Sequence, residues 1–117
     1  MGQEKKPYTK AVEVAVEKVK TFIDNNPTTR KGTDDFVEEY GVNRNDLQKG
    51  FRIIHNKTIK EYQFEKRMDA ACEMLKQGTL IKKEISDACG YENANNFSSA
   101  FKKKFKMSPS KWQDLFG

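Results

Sequence analysis

The sequence predicts an all-α fold of about seven helices. Three observations carry that expectation: apolar residues recur at spacings of three and four in the longer segments, no segment of useful length alternates with period two, and helix-capping or helix-stopping residues separate the segments. The 117 residues suffice for one domain or two small lobes, which excludes a large multi-domain enzyme. Charged residues make up 33% of the chain and mean hydropathy is −0.89, yet 8 Phe, 4 Tyr and 1 Trp supply core material, so disorder throughout is not expected.

Residues 8 to 24 place Tyr8, Val12, Ala15, Val16, Val19, Phe22 and Ile23 on one stripe, which Asn25-Asn26-Pro27 ends. After the loop PTTRKG, Thr33 is placed to cap a short helix whose positive end suits Asp34 and Asp35, and Gly41 supplies its break. Asn43 caps a third helix with Leu47, Phe51 and Ile54 on one side. Thr58 and Glu61 have the spacing of a capping box and open the longest helix, Ile59 to Lys76, stopped by Gly78. A short helix near Ile81 to Cys89 ends at Gly90, and Asn93 caps one with Phe97, Phe101 and Phe105 four apart. Ser108-Pro109 then starts a terminal helix expected to bury Trp112, Leu115 and Phe116.

Several classes of function find no support. No apolar stretch approaches the roughly 20 residues of a membrane helix, and MGQEKKPY lacks a signal core, so a soluble protein of the cytoplasm is expected. Met1-Gly2 resembles an N-myristoylation start, but Lys6 stands where Ser or Thr is wanted. The Asn56-Lys57-Thr58 and Asn96-Phe97-Ser98 triplets match glycosylation acceptors only by chance without such a signal. Cys72 and Cys89 lie 17 apart with no C-x-x-C, which supports neither zinc nor a disulfide scaffold and reads as two buried apolar residues in a reducing compartment. His55 has no nucleophile at a recognisable spacing and reads as solvated or capping. No cofactor motif is present, and no catalytic residue or metal ligand is assigned.

Phe36-Val37 to Arg52 and Ile85-Ser86 to Lys102 can be laid over one another. From the capping asparagine onward the offset is 50, pairing Asn43 with Asn93, Asn45 with Asn95, Leu47 with Phe97, Gly50 with Ala100, Phe51 with Phe101 and Arg52 with Lys102; before it the offset is 49. Helix, tight glycine turn, helix, twice over, is a doubled helix-turn-helix pattern. A third helix that buries Leu47, Gly50, Phe51 and Ile54 points Asn45, Gln48, Lys49 and Arg52 outward, and its counterpart presents Asn95, Ser98, Ser99, Lys102 and Lys103, with no acid on either face. Gly50 in mid-helix implies that the preceding helix crosses closely there.

The net charge of +5 is partly segregated: five Lys and no acid lie between Asn93 and Lys111, while Asp34, Asp35, Glu38 and Glu39 gather on the second helix. Asn and Gln suit bidentate contact with adenine, Lys reaches guanine acceptors, and Arg52 or Lys102 can neutralise phosphate, so double-stranded DNA is the expected partner. Further phosphate contacts are open to Arg44, Lys82, Lys83, Lys103 and Lys111. A rod over residues 58 to 77 is about 30 Å long, close to the roughly 34 Å between major-groove openings on one DNA face.

The run Arg67-Met68-x-x-Ala71-x-x-Met74-Leu75, then Glu84-Ile85, Gly90-Tyr91, Asn96-Phe97-Ser98-x-Ala100-Phe101-Lys102-Lys103 and Ser108-Pro109-x-x-Trp112, resembles the DNA-binding domain of the AraC/XylS family of bacterial transcription regulators. Leu47-x-x-x-Phe51-Arg52 and Thr58-Ile59-x-x-Tyr62 resemble its first helix-turn-helix. The resemblance implies two homeodomain-like three-helix units, each with a helix-turn-helix, joined by a long linker helix and bound in adjacent major grooves, with RNA polymerase as a further partner. It implies base contacts from Asn45, Gln48 and Lys49, and from Ala94, Asn95, Ser98 and Ser99. Lys82 departs from a usually apolar position, Ser99 from a frequent arginine, and Lys106 from the usual glycine.

The expected division is residues 1–57 for the first helix and first helix-turn-helix, 58–78 for the linker helix, and 79–117 for the second unit with the terminal helix. No sensor for a small-molecule effector is evident in the chain. A DNA-repair methyl acceptor needs a cysteine-bound zinc that two isolated cysteines do not supply. A helical protein-interaction module using the Phe-rich stripes is the alternative reading, and salt-insensitive capture of a protein would distinguish it from DNA binding.

Overall fold

The structure, a computed structural model, describes residues 5–117, so the Met1-Gly2 start lies outside the described residues. Seven helices follow in order: α1 (Lys10–Asn25), α2 (Thr33–Tyr40), α3 (Arg44–His55), α4 (Ile59–Gln77), α5 (Lys82–Ala88), α6 (Ala94–Phe105) and α7 (Pro109–Phe116). The described residues contain no strand. The described residues pack as two compact units: one is residues 5–25 with Lys31–Tyr62, the other Asn26–Arg30 with Gln63–Gly117.

In the first unit, the stripe Val12, Ala15, Val16, Val19 and Ile23 of α1 is buried against Phe36, Leu47, Phe51, Ile59 and Tyr62. Gly50 is the point of closest approach, where an added Cβ would lie 2.6 Å from Val12 Cγ1 and 3.4 Å from Val16 Cγ2. The helix that crosses there is α1 and not the preceding helix α2, since both side chains met at Gly50, Val12 and Val16, belong to α1. Helix α2 also begins differently from the expectation: Gly32, and not Thr33, is the N-cap, and its N–H donates to the Asp35 carboxylate at 3.2 Å. Gly41 closes α2 in the left-handed region at φ 66°, a conformation that costs glycine little.

Thr58 and Glu61 make the reciprocal capping box, with Glu61 N–H to Thr58 Oγ1 at 3.0 Å and Thr58 N–H to Glu61 Oε1 at 2.9 Å. Tyr62 Oη donates to the Asp24 carboxylate, and burial, then that carboxylate, raises its pKa. His55 is half-buried and neither solvated nor capping: its ring meets Phe51 at 4.9 Å between centroids, and Nε2 lies 3.2 Å from Glu17 Oε1.

The second unit buries Met68, Ala71 and Leu75 of α4 against Ile85, Cys89, Phe97, Phe101 and Trp112. Ser86 is buried, and its hydroxyl donates to the Asn93 carbonyl at 3.0 Å, tying α5 to the start of α6 across Gly90, where φ is 79°. Gln113 Nε2 donates to the Leu75 carbonyl at 2.9 Å and fixes α7 on α4. Trp112 is buried as expected, but Leu115 and Phe116 remain 60% and 56% exposed. The eight-residue α7 buries Pro109 and Trp112, and its last turn runs on into solvent. Both cysteines are free and buried, and burial pushes the Cys72 thiol up to about 11.

Candidate nucleic-acid interface

Helices α3 and α6 are each 12 residues long and begin on an asparagine whose side chain accepts a backbone N–H: Asn43 from Asp46 at 3.2 Å, Asn93 from Asn96 at 2.8 Å. Each is preceded by a left-handed glycine, Gly41 or Gly90, and each ends on a left-handed residue, Asn56 or Lys106, whose N–H reaches the carbonyl of Arg52 or Lys102 at 2.8 Å. Leu47 and Phe51 in α3, and Phe97 and Phe101 in α6, are fully buried at matching positions. Burial on one side therefore fixes which side chains face solvent on the other.

On α3 the exposed residues include Arg44, Asn45, Gln48, Lys49 and Arg52, all of those the sequence singles out. Two features of that face differ from the expectation. Asp46 is exposed as well, so the face is not free of acid, and Arg44 is held by an ion pair with Asp34 at the start of α2. Arg44, Gln48, Lys49 and Arg52 line a concavity of about 430 Å³ that also takes in Thr33 at the start of α2, Thr58 just before α4, and Ile59 and Lys60 in its first turn. Lys60 adds a cation that sequence reasoning missed, because nothing local shows that the opening turn of α4 borders the outer face of α3.

On α6, Asn95, Ser99, Lys102 and Lys103 are exposed, whereas Ala94 and Ser98 are half-buried. The Ser98 hydroxyl is closed off from solvent and has no hydrogen-bond partner, so the outward placement expected for it does not hold. Ser98 follows directly on Phe97 and lies at the margin of the buried stripe, a position that a simple division into inward and outward residues assigns to the wrong side. Asn96 is exposed and was missed; its spacing of three to Ser99 and seven to Lys103 puts the three on one stripe.

Among the described residues no group of three His, Cys, Asp or Glu side chains is placed to hold a metal, and no helix is long and apolar enough to cross a membrane. The groups exposed on α3 and α6 include amides with paired donors and acceptors, a hydroxyl and cations, together with the Asp46 carboxylate and the apolar Ile53 on α3.

A helix-turn-helix domain family matches residues 36–114. Among curated relatives, the chain is 30% identical over 103 residues to the HTH-type transcriptional activator RhaR of Salmonella dublin, covering 88% of this chain and 36% of the relative. It is 28% identical over 108 residues to the xylose operon regulatory protein of Escherichia coli K12, covering 92% of this chain and 28% of the relative. The chain thus spans about a third of the length of these relatives. Among solved structures, it is similar to the xylose-binding transcription activator xylR, with TM-score 0.76 and 27% identity over 96% of this chain and 29% of that one. It also resembles in fold the DNA-binding domain of AdpA, a global transcriptional factor solved with a target DNA, with TM-score 0.79 and 13% identity over 87% and 92% of the two chains. The chain has two helix-turn-helix units and the family match runs through both, so it belongs to the AraC/XylS family as a helix-turn-helix DNA-binding domain of a transcription regulator.

Proposed function

We propose that this chain reads double-stranded DNA by setting the exposed face of one recognition helix from each unit, α3 and α6, into a major groove. The carrying observation is the repetition itself: two helices of equal length, capped alike and buried alike, leave amides and cations exposed at matching positions. Asn45, Gln48 and Lys49 read base edges from the first unit, and Asn95 with Ser99 from the second. Arg52, Lys60, Lys102 and Lys103 are among the cations that hold phosphates, which fixes register without carrying sequence information. The same reading makes the chain the output part of a bacterial regulator, working at the nucleoid in the cytoplasm with RNA polymerase as its protein partner, and gives the chain no enzymatic role.

Titration of a fluorescent duplex across about 50 to 200 mM salt tests this. Engagement of five to eight phosphates gives a slope of log K against log salt of about −5 to −7. A slope flatter than about −2, together with salt-insensitive capture of a protein, would move the assignment to a protein-interaction module.

A further inference from the structure

Arg30 belongs to the loop between α1 and α2, yet it packs with the second unit. Its guanidinium lies over the Tyr91 ring at 4.6 Å from the centroid. Gly90 makes room for it: a Cβ there would stand 3.2 Å from Arg30 Nε, and the left-handed φ of 79° already favours glycine. A guanidinium over an aromatic ring still carries in-plane N–H donors that the ring does not take up. Arg30 is exposed and has no ion pair among the described residues, in contrast to Arg44 and Lys104, which pair with Asp34 and Glu65.

The seat has a definite location. Arg30, Tyr91, Glu92 and Asn96 line a concavity of about 400 Å³, and Asn96 shares its stripe of α6 with Ser99 and Lys103. Arg67, only 7% exposed and with no hydrogen-bond partner at Nε, adds a second guanidinium to this unit. Burial raises the Cys89 thiol pKa while Arg67 and then Arg30 pull it back, so both positive charges are felt at the residue before the turn. Glu92 is the opposing charge in the concavity and makes no ion pair with Arg30.

We infer that Arg30 is a phosphate-binding residue of the second unit, donating in-plane hydrogen bonds to the DNA backbone beside the Asn96–Lys103 stripe of α6. This rests on the DNA-binding reading above. A guanidinium already immobilised on an aromatic ring loses little freedom on meeting a phosphate, and its fork matches two phosphate oxygens.

The test is the same duplex titration on the full chain with Arg30→Gln, Arg30→Lys and Glu92→Gln. Loss of one phosphate contact makes the salt slope shallower by about 0.9, which at 0.1 M salt is a weakening of about 8-fold. Arg30→Gln is expected to show both changes on a selected and a scrambled duplex alike, Arg30→Lys to keep the wild-type slope, and Glu92→Gln to tighten both duplexes. A wild-type slope in folded Arg30→Gln overturns the inference while leaving DNA binding intact. Should Arg30→Gln not fold, unchanged affinity in Glu92→Gln overturns it instead. Absence of salt-dependent binding in the wild type removes the DNA-binding reading and this inference together.

Discussion

Val12 Cγ1 stands 2.6 Å from the point a Cβ on Gly50 would occupy, so α1 rests on α3 where α3 has no side chain. Alanine at Gly50 gains about 1 kcal/mol of helix propensity but inserts a methyl into a filled contact, which costs about 1 to 3 kcal/mol. Gly50→Ala is therefore expected to lower the urea midpoint. In a Val12→Ala background the methyl has space, and the same change should raise the midpoint. A rise in the single variant would show that α1 yields at this contact.

Lys106 closes α6 at φ 63° and Asn56 closes α3 at φ 59°, fifty residues apart. A side chain with Cβ in the left-handed region costs roughly 1 to 2 kcal/mol, and asparagine tolerates it best after glycine. Lys106→Gly is expected to raise stability by about 1 kcal/mol, read as a higher thermal midpoint, while Asn56→Gly shifts it by a few tenths. Equal effects at the two positions would contradict the assigned difference.

The parts of this fold that the sequence makes legible are local. Asn43, Thr58 with Glu61, Asn93 and Ser108 cap the helices they precede because each acts within its own first turn. The repeat runs further than residue types reveal: Thr58 and Ser108 cap at offset 50, and Tyr62 and Trp112 are both buried at that offset, although their side chains differ. What the sequence conceals is set by contacts between distant segments. Which helix crosses Gly50, where Arg30 lands, and which exposed turn of α4 carries Lys60 to the α3 face all depend on packing. Ser98 is the intermediate case, lying at the margin between the buried and exposed sides of α6 where a periodicity argument has least resolution.

Burial pushes the Cys72 thiol up to about 11, and Cys89 is raised by the same cause. In the unfolded chain a thiol ionises near its ordinary value of about 8.5. The unfolded state thus loses the proton first, and the stabilisation, complete below about pH 8.5, falls away as pH rises through about 11. Urea midpoints at pH 8 and pH 10.5 should fall for the wild type and fall less for Cys72→Ala. An equal drop in both would assign the alkaline loss to other groups, Tyr62 among them.

The two recognition faces differ in reach. Asn45, Gln48 and Lys49 are exposed and forked or long, whereas on α6 Ala94 and Ser98 are half-buried and Asn95 is the forked group among the residues assigned to base reading. The Ser98 hydroxyl, closed off from solvent, widens that difference. The first unit is therefore expected to supply most base discrimination, and the second to hold the backbone through Lys102 and Lys103. Gln48→Ala or Lys49→Ala should lower the ratio of specific to non-specific affinity by about 1 to 3 kcal/mol per lost base contact. Lys102→Ala should weaken all duplexes alike and make the salt slope shallower by about 1. Competition titrations with a selected and a scrambled duplex decide the matter. Collapse of the ratio in Asn95→Ala, with Gln48→Ala and Lys49→Ala leaving it unchanged, would reverse the division of labour between the two helices.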